Sequence, residues 1–311
     1  METLVKFCYR YANALKKEGI GVAVSGGGDS LALCFALKKA DIPFTALHFD
    51  HNLRPESSSE RDWLKKLFQS EGIPFYSQTW QTPAQEGSLQ QSARNARYAF
   101  FEQAAHTLGV RHIFTAHTVD DMTESTLMRL FYGSGTQGLA AMAPKIDKES
   151  YTLHRPVIHF TRDELRRFLK KQDQTWLEDP SNYKADYVRV RARYLLKNMP
   201  DEMASELLRL AHGCAHLEEA LAGHLKPYKN YIVQHHNDWA VLNSTLLTLP
   251  DYARQRLFKT VFKGLQPKRH PPRPQKQARL FEALGSPEAS HSLGHIHFQR
   301  EGQKIIARPM V

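Results

Sequence analysis

The sequence predicts an α/β protein: a doubly wound, mostly parallel sheet, followed by a smaller, mainly helical C-terminal domain that closes with a β-hairpin. Three observations predict it. Short apolar segments alternate with helix-like ones in units of roughly 25–40 residues, the spacing of strand–helix–strand crossovers. One of the first units turns through three consecutive glycines, Gly26-Gly27-Gly28. A change of composition near Met199-Pro200 then separates residues 1–200 from a basic remainder, 201–311. A chain of 311 residues is long enough for about two domains.

Taken in order, Met1 to Lys17 scatters basic residues among apolar ones and reads as an amphipathic helix, not as a leader with a continuous apolar core. Ile20, Val22, Ala23 and Val24 give a buried strand and Leu31 to Leu37 a helix, joined by Ser25-Gly26-Gly27-Gly28-Asp29-Ser30. Consecutive glycines permit φ > 0, so several N–H groups can face one concavity. Asp29 and Ser30 then open the helix, where partial positive charge favours an anion. The loop reads as a phosphate cradle. It is not G-x-x-x-x-G-K-S/T, because no Lys follows the last glycine, nor G-x-G-x-x-G, because the glycines are contiguous.

Ile42 to Phe49 reads as a second strand, ending in His48-Phe49-Asp50-His51-Asn52-Leu53-Arg54-Pro55. Ser57-Ser58-Ser59-Glu60 is a capping-box start, and Trp63, Leu64, Leu67 and Phe68 give the next helix its apolar face. Ile73 to Trp80 is a third strand, Ser88 to Leu108 a helix, Arg111 to Ala116 a fourth strand and His117 to Phe131 a helix. The glycine-rich loop Gly133–Gly138 precedes a fifth strand, Tyr151 to Ile158, and Thr161-Arg162-Asp163-Glu164 caps a helix with Leu165, Phe168 and Leu169 inward. Ligands of such sheets bind beyond the carboxyl ends of the strands. The cradle, the cluster 48–54 and the stretch 117–124 all fall on that rim.

The second half carries the charge. A net +10 and pI near 9.4 favour a polyanionic partner, most often nucleic acid. After the turn-rich run Trp176 to Asn182 comes Arg189-Val190-Arg191-Ala192-Arg193, and Arg254 to Arg279 holds nine Lys or Arg with no Asp or Glu. Arg189, Arg191, Arg193, Lys268, Arg269, Arg273 and Lys276 are the candidate phosphate contacts. Glu202 to Leu225 is helical by spacing, Trp239 to Leu242 a short strand, and His295–Phe298 with Lys304–Ala307 a hairpin about Glu301-Gly302. Three distant cysteines with no C-x-x-C pair exclude a disulfide framework or zinc ribbon and fit a reducing cytoplasm. No apolar run approaches the ~20 residues of a membrane helix, so a cytoplasmic protein with no membrane partner is expected.

Two constellations carry chemistry. His117, Asp121 and Glu124 fall on one helical face at i, i+4 and i+7, where they can hold a metal, accept a proton or grip a cation; acidic residues there can equally complement a helix N-terminus. Arg94 and Arg97 lie one turn apart on the preceding helix. An Arg beside paired carboxylates suits an amino-acid substrate, with Asp121 and Glu124 on its ammonium groups and the Arg on its carboxylate.

The string Ser25–Ser30 resembles the loop of the N-type ATP pyrophosphatases. Over nearly its whole length the chain resembles the tRNA(Ile)-lysidine synthetases, through that loop, Asp50–Ser57, Ala93-Arg94 with Arg97-Tyr98, and Ala116-His117 with Asp120-Asp121 and Glu124. Arg129, Gly133-Ser134-Gly135 with Gly138-Leu139, Arg155-Pro156 and Asp179-Pro180-Ser181-Asn182 before the arginine ladder complete the ordered set. The resemblance implies a PP-loop ATPase fold of the adenine nucleotide α-hydrolase type, in a short form without a second C-terminal domain. It implies a ligase forming a carbon–nitrogen bond in two steps. ATP adenylates C2 of the wobble cytidine of a CAU-anticodon isoleucine tRNA, releasing pyrophosphate. The ε-amine of free lysine then displaces AMP to give lysidine.

By the same resemblance Ser25, Gly26, Gly27, Gly28, Asp29 and Ser30 bind the ATP phosphates, with Asp29 near Mg²⁺, and backbone groups from Ala46 to His48 meet the adenine. Arg97, Asp121 and Glu124 match lysine-binding positions, and His117 lies near the reacting atoms as an acid/base or phosphate ligand. The implied partners are that tRNA, free lysine and ATP, and a homodimer is left open. The sequence departs from the pattern at Asn52, where glycine is common, at Ser125, where threonine is usual, and at Val190, where asparagine is frequent. Two alternatives stand beside this reading: a PP-loop tRNA thiolase, which needs a reactive cysteine or a cluster-binding cysteine set, and a non-catalytic RNA-binding relative, which predicts eroded acidic residues.

Overall fold

The computed structural model describes residues 2–53, 56–81, 89–178, 188–236, 238–267, 269 and 271–310. Arg54, Pro55, Ser88, Asp179–Asn182 and Lys268 lie outside the described residues, as does the side chain of Arg189. The chain divides into two compact units, Met1–Ala215 and His216–Val311. No helix among the described residues is long and apolar enough to cross a membrane.

The first unit opens with helix α1 (Glu2–Ala12), whose Leu4, Cys8 and Ala12 at fourfold spacing are buried, as an amphipathic helix requires. Then follow β1 (Ile20–Ala23), α2 (Gly28–Lys39), β2 (Thr45–Asp50), α3 (Ser57–Ser70) and β3 (Phe75–Thr79). The chain continues through α4 (Leu89–Leu108), β4 (His112–Phe114), α5 (Val119–Phe131), the single turn α6 (Thr136–Leu139), β5 (Lys145–Asp147) and β6 (Thr152–His154). Helices α7 (Arg162–Lys170) and α8 (Val188–Lys197) precede α9 (Asp201–Leu225), which crosses the division between the units.

The strands form one sheet in the order β3-β2-β1-β4-β6-β5. All neighbours are parallel except the edge strand β5, which runs antiparallel to β6. The chain leaves β1 toward β2 on one side and returns to β4 on the other. That makes β1 the switch point, and the crevice at its carboxyl end is where the glycine loop sits. Helix α2 is apolar nearly all round, with Leu31, Leu33, Cys34 and Leu37 fully buried, because α1 and α7 cover the side that the sheet does not.

Two expectations are corrected here. Strand β6 stops at His154, not at Ile158, because Pro156 has no N–H to give a ladder and Ile158 N turns back to Arg155 O. Helix α3 begins with Glu56 as N-cap and makes no side-chain capping bond; Ser59 Oγ instead donates to Glu56 O at 2.8 Å.

His154 is buried under the sheet edge in a polar chain. Its Nδ1 meets Tyr11 Oη at 3.1 Å and its Nε2 meets His112 Nδ1 at 3.1 Å. Burial, with His112 and Lys145 nearby, pulls its pKa down to about 4. The native state therefore binds fewer protons than the unfolded chain between pH 6.5 and about 4. Stability from this group is complete above pH 6.5 and is lost as pH falls through that window, by roughly 3 kcal/mol at most. Urea midpoints measured from pH 7 to 4.5 should fall steeply in wild type and less in His154→Phe; parallel curves would contradict this assignment.

The second unit is built on an antiparallel sheet in the order β7-β8-β11-β10-β9. Its strands are β7 (Ile232–His235), β8 (Ala240–Asn243), β9 (Ser290–Leu293), β10 (Ile296–Glu301) and β11 (Lys304–Pro309). The expected hairpin is β10–β11, turning at Gly302 with φ 60°. It is extended by β8 on one side and β9 on the other. Helices α10 (Asp251–Leu265) and α11 (Pro274–Ala283) set Phe258, Phe262, Leu280 and Phe281 against Ile296, Phe298 and Ile305 of the sheet.

Candidate active site

The glycine loop joins β1 to α2, with Gly27 as the helix N-cap. Only Gly26 of the three adopts the left-handed region, at φ 86°, so the concavity rests on one special glycine and a helix start, not on three. Gly26 is also closed in. A Cβ there would lie 2.7 Å from Leu177 Cδ1, and Leu177 N donates to Gly26 O at 2.9 Å. Ser30 Oγ donates to Gly27 O at 2.9 Å, which ties the first turn of α2 back onto the loop. The free N–H groups and dipole of that turn favour an anion.

Asp29 stands in the same turn. Its Oδ2 faces Arg162 Nε at 3.4 Å, and its Oδ1 is buried with no hydrogen-bond partner among the described residues. Burial raises its pKa to about 6; Arg162 works against that rise and Asp121 adds to it. An unpartnered hard oxygen beside an anion site fits Mg²⁺, which takes one or two carboxylates and fills its shell from substrate phosphates and water. Among the described residues no group of three His, Cys, Asp or Glu could form an all-protein cage, so such an ion would depend on the nucleotide.

A cleft of about 670 Å³ opens beside the loop, lined among others by Ser25, Asp29, Ser30, His48, Arg97 and His117. His48 Nδ1 meets Val24 O at 2.9 Å, and that carbonyl can only accept, so Nδ1 carries the proton. Nε2 is then an acceptor, buried without a partner among the described residues, and burial lowers the pKa of His48. Arg97 Nε and His51 Nδ1 are buried and unpartnered in the same way. Ala46 does not line the cleft, and its amide donates to Pro74 O at 2.8 Å within the sheet. Asn52 has φ 50°, in the left-handed region that glycine enters most easily and asparagine more readily than most residues. Its amide donates to Asp50 Oδ1 at 2.8 Å.

The acidic stretch is arranged differently from the expectation. Helix α5 starts at Val119 with Thr118 as N-cap, so His117 is not on a helical face with Asp121 and Glu124. His117 instead meets Thr115 Oγ1 through Nδ1 at 3.0 Å and lines the cleft. Asp121 closes a capping box, its Oδ2 accepting from Thr118 N at 3.0 Å. Its Oδ1 accepts from Arg162 Nη2 at 3.3 Å. Glu124, 2% exposed at its side chain, accepts from Arg162 Nη1 at 3.2 Å and from Arg193 Nε at 2.8 Å.

Arg162 is the residue that sequence reasoning passed over. It was legible only as the first residue after a Thr161 cap, yet its guanidinium spans Asp29, Asp121 and Glu124 while its backbone N donates to Asp120 Oδ2 at 2.8 Å. Burial disfavours its charge, but Glu124, Asp121, Asp29 and Asp120 more than compensate and hold it firmly protonated. Contacts spanning 133 residues to Asp29 and 38 to Glu124 leave no local sequence signal.

The basic stretches also divide. Arg191 is exposed, whereas Arg193 is directed into the acidic cluster. In the second unit Arg269, Arg273 and Lys276 are exposed. Arg254 is tied to Asp251, three residues before the acid-free run, and Arg256 to Glu218 of α9.

Residues 2–199 match the PP-loop domain family. Over 293 residues the chain is 34% identical to a tRNA(Ile)-lysidine synthase of Ruegeria pomeroyi, which covers 92% of this chain and 70% of that protein. Similar proteins of the same description occur in Rhodopseudomonas palustris, 39% identical over 211 residues, and Zymomonas mobilis, 36% over 206. Each match takes in 65% of this chain, and the chain spans 61% and 63% of the length of those two relatives. Among solved structures, the U34-tRNA thiolase of Methanococcus maripaludis superposes with a TM-score of 0.58 at 14% identity, covering 70% of this chain and 80% of that one. At that identity the likeness is one of fold.

Proposed function

The chain belongs to the PP-loop domain family and, within it, to the tRNA(Ile)-lysidine synthases, and from that premise we propose that it converts the wobble cytidine of a CAU-anticodon isoleucine tRNA to lysidine. ATP adenylates the C2 oxygen and pyrophosphate leaves; the lysine ε-amine then attacks C2, loses a proton, and expels AMP with that oxygen. One observation supports this most: Asp29 of the phosphate loop and Asp121 and Glu124 of α5 converge on a single cation. A pocket that receives a guanidinium from its own chain has the charge and reach to receive a substrate ammonium.

In this reading the first turn of α2 and the Gly26 turn hold the phosphates. His48 Nε2 accepts a hydrogen bond from the adenine amine, and Arg97 takes the lysine carboxylate bidentately. Asp121 and Glu124 take ammonium. His117 stands at the cleft wall as an acid/base or phosphate contact. A Mg²⁺ ion at Asp29 would neutralise charge on the leaving pyrophosphate. The remaining catalysis is positioning and charge stabilisation. Asp121→Ala should lower lysine-dependent AMP release by at least ~100-fold while leaving ATP binding within a few-fold; lost ATP binding would overturn the role given to Asp121.

The thiolase alternative needs a reactive, accessible cysteine or a cluster-binding cysteine set, and the three cysteines lie far apart in the sequence. All three cysteines are buried, and burial pushes Cys8 up to about 12 and Cys34 higher still. The non-catalytic alternative is disfavoured by an intact acidic set.

Arg191 with Arg269, Arg273 and Lys276 offers exposed charge for tRNA phosphates. If about six phosphates are neutralised, affinity should fall by roughly three orders of magnitude between 50 and 200 mM salt. Filter binding over that range checks it, and a nearly flat response would contradict a phosphate-dominated grip.

A further inference from the structure

Arg162 stands where two ligand sites meet. Its Nε lies against Asp29 beside the phosphate loop, and its Nη atoms lie against Asp121 and Glu124. At 3.2–3.4 Å these contacts are longer than the 2.8 Å bond from Arg193 to Glu124; Glu124 Oε1 takes both Nη atoms, and Asp29 and Asp121 take one contact each. The guanidinium is shared between the loop and α5, and its side chain is 19% exposed. A triphosphate seated on the start of α2 would bring strong negative charge to the Asp29 end of that shared cation. Attraction toward the phosphates would draw the guanidinium off Asp121 and Glu124. Arg193 would still hold Glu124, and Asp121 would keep its capping contacts to Thr118. The pair would then be ready for an incoming ammonium.

We propose that Arg162 is a positioning residue that couples the two sites: it fills the amino-acid cation site while the nucleotide is absent and yields it when the triphosphate binds. This rests on the lysine-transfer reading above. It makes binding ordered, nucleotide before amino acid, because an ammonium arriving first must displace a tethered guanidinium. The coupling is reciprocal, as any linkage between two binding equilibria must be. Arg162 touches neither reacting atom; its effect is on when the acidic pair becomes available.

Calorimetric titration of lysine, with and without saturating Mg²⁺ and a non-hydrolysable ATP analogue, tests the coupling. Wild type should bind lysine about tenfold more tightly with the analogue present, within the usual range of coupling between sites. The analogue should bind more tightly with lysine by the same factor. In Arg162→Gln the two lysine affinities should converge, and the nucleotide-free one should rise toward the coupled wild-type value. That gain is one a merely damaged fold would not give. Arg162→Lys, which keeps the charge but not the planar fork, should retain part of the ratio. A tenfold ratio that persists in Arg162→Gln, or an equal loss of lysine affinity in both of its states, would overturn the proposal. Wild-type lysine affinity independent of nucleotide would overturn the coupling alone. Failure of lysine to bind in any state would overturn the lysine reading itself.

Discussion

Replacing Glu124 with Ala is expected to abolish lysine-dependent AMP release and to destabilise the first unit by about 3 kcal/mol. The carboxylate is almost wholly buried and is the common partner of Arg162 and Arg193. Removing it leaves two guanidinium groups partly desolvated with one acceptor fewer, and breaking a buried pair from one side costs about 3–5 kcal/mol. The lower end applies because Asp29 and Asp121 still face Arg162, and because Arg193 is 30% exposed and can rehydrate. Glu124→Gln keeps an oxygen for one of the arginines and should cost less stability, while losing the charge that a substrate ammonium needs. Urea unfolding and AMP release measured on both variants separate the effects. An Ala variant as stable as wild type would mean that the cluster is solvated and contributes little.

Gly26→Ala should lower pyrophosphate release by about 100-fold or more with only a modest loss of stability. The left-handed φ of 86° strains any residue with a Cβ, and the new methyl would sit 2.7 Å from Leu177 Cδ1. Leu177 is also bound to the Gly26 carbonyl, so the segment cannot move away without giving up that bond. Relief must come from the loop itself, and a displacement of about 1 Å at a phosphate site is enough for a loss of that size. Gly27→Ala is the control. Gly27 has φ −69° and its nearest neighbour would be Ser25 Oγ at 3.4 Å, an ordinary contact. Equal losses in both variants would contradict the claim that one glycine shapes the loop.

The parts of the molecule legible in the sequence are those set by neighbours along the chain. The β1–loop–α2 unit is fixed by apolar spacing and by glycines, and the capping box at Thr161 by residues three apart. The β10–β11 hairpin announces itself through Glu301-Gly302 between apolar alternations. Strand β9, Ser-His-Ser-Leu, is not legible, because it is held mainly by the ladder to β10 and carries a single apolar residue, Leu293. His117 lies two residues before the first residue of α5, since Thr118 makes the better N-cap and stops the helix short of it. Arg162 was hidden for the same reason that it matters: its partners come from α2 and α5, elements brought beside α7 only by the finished sheet. Arg193 looked like a rung of a solvent ladder, but helical geometry turns it inward while Arg191 faces out.

The most direct test of the central claim is the mass of the wobble nucleotide. A CAU-anticodon isoleucine tRNA transcript is incubated with the protein, ATP, Mg²⁺ and lysine, digested to nucleosides and weighed. The wobble cytidine should gain the mass of one lysine less one water, only when both ATP and lysine are present, with AMP and pyrophosphate released alongside. An unchanged cytidine under those conditions, or a mass gain supported by a sulfur donor in place of lysine, would contradict it.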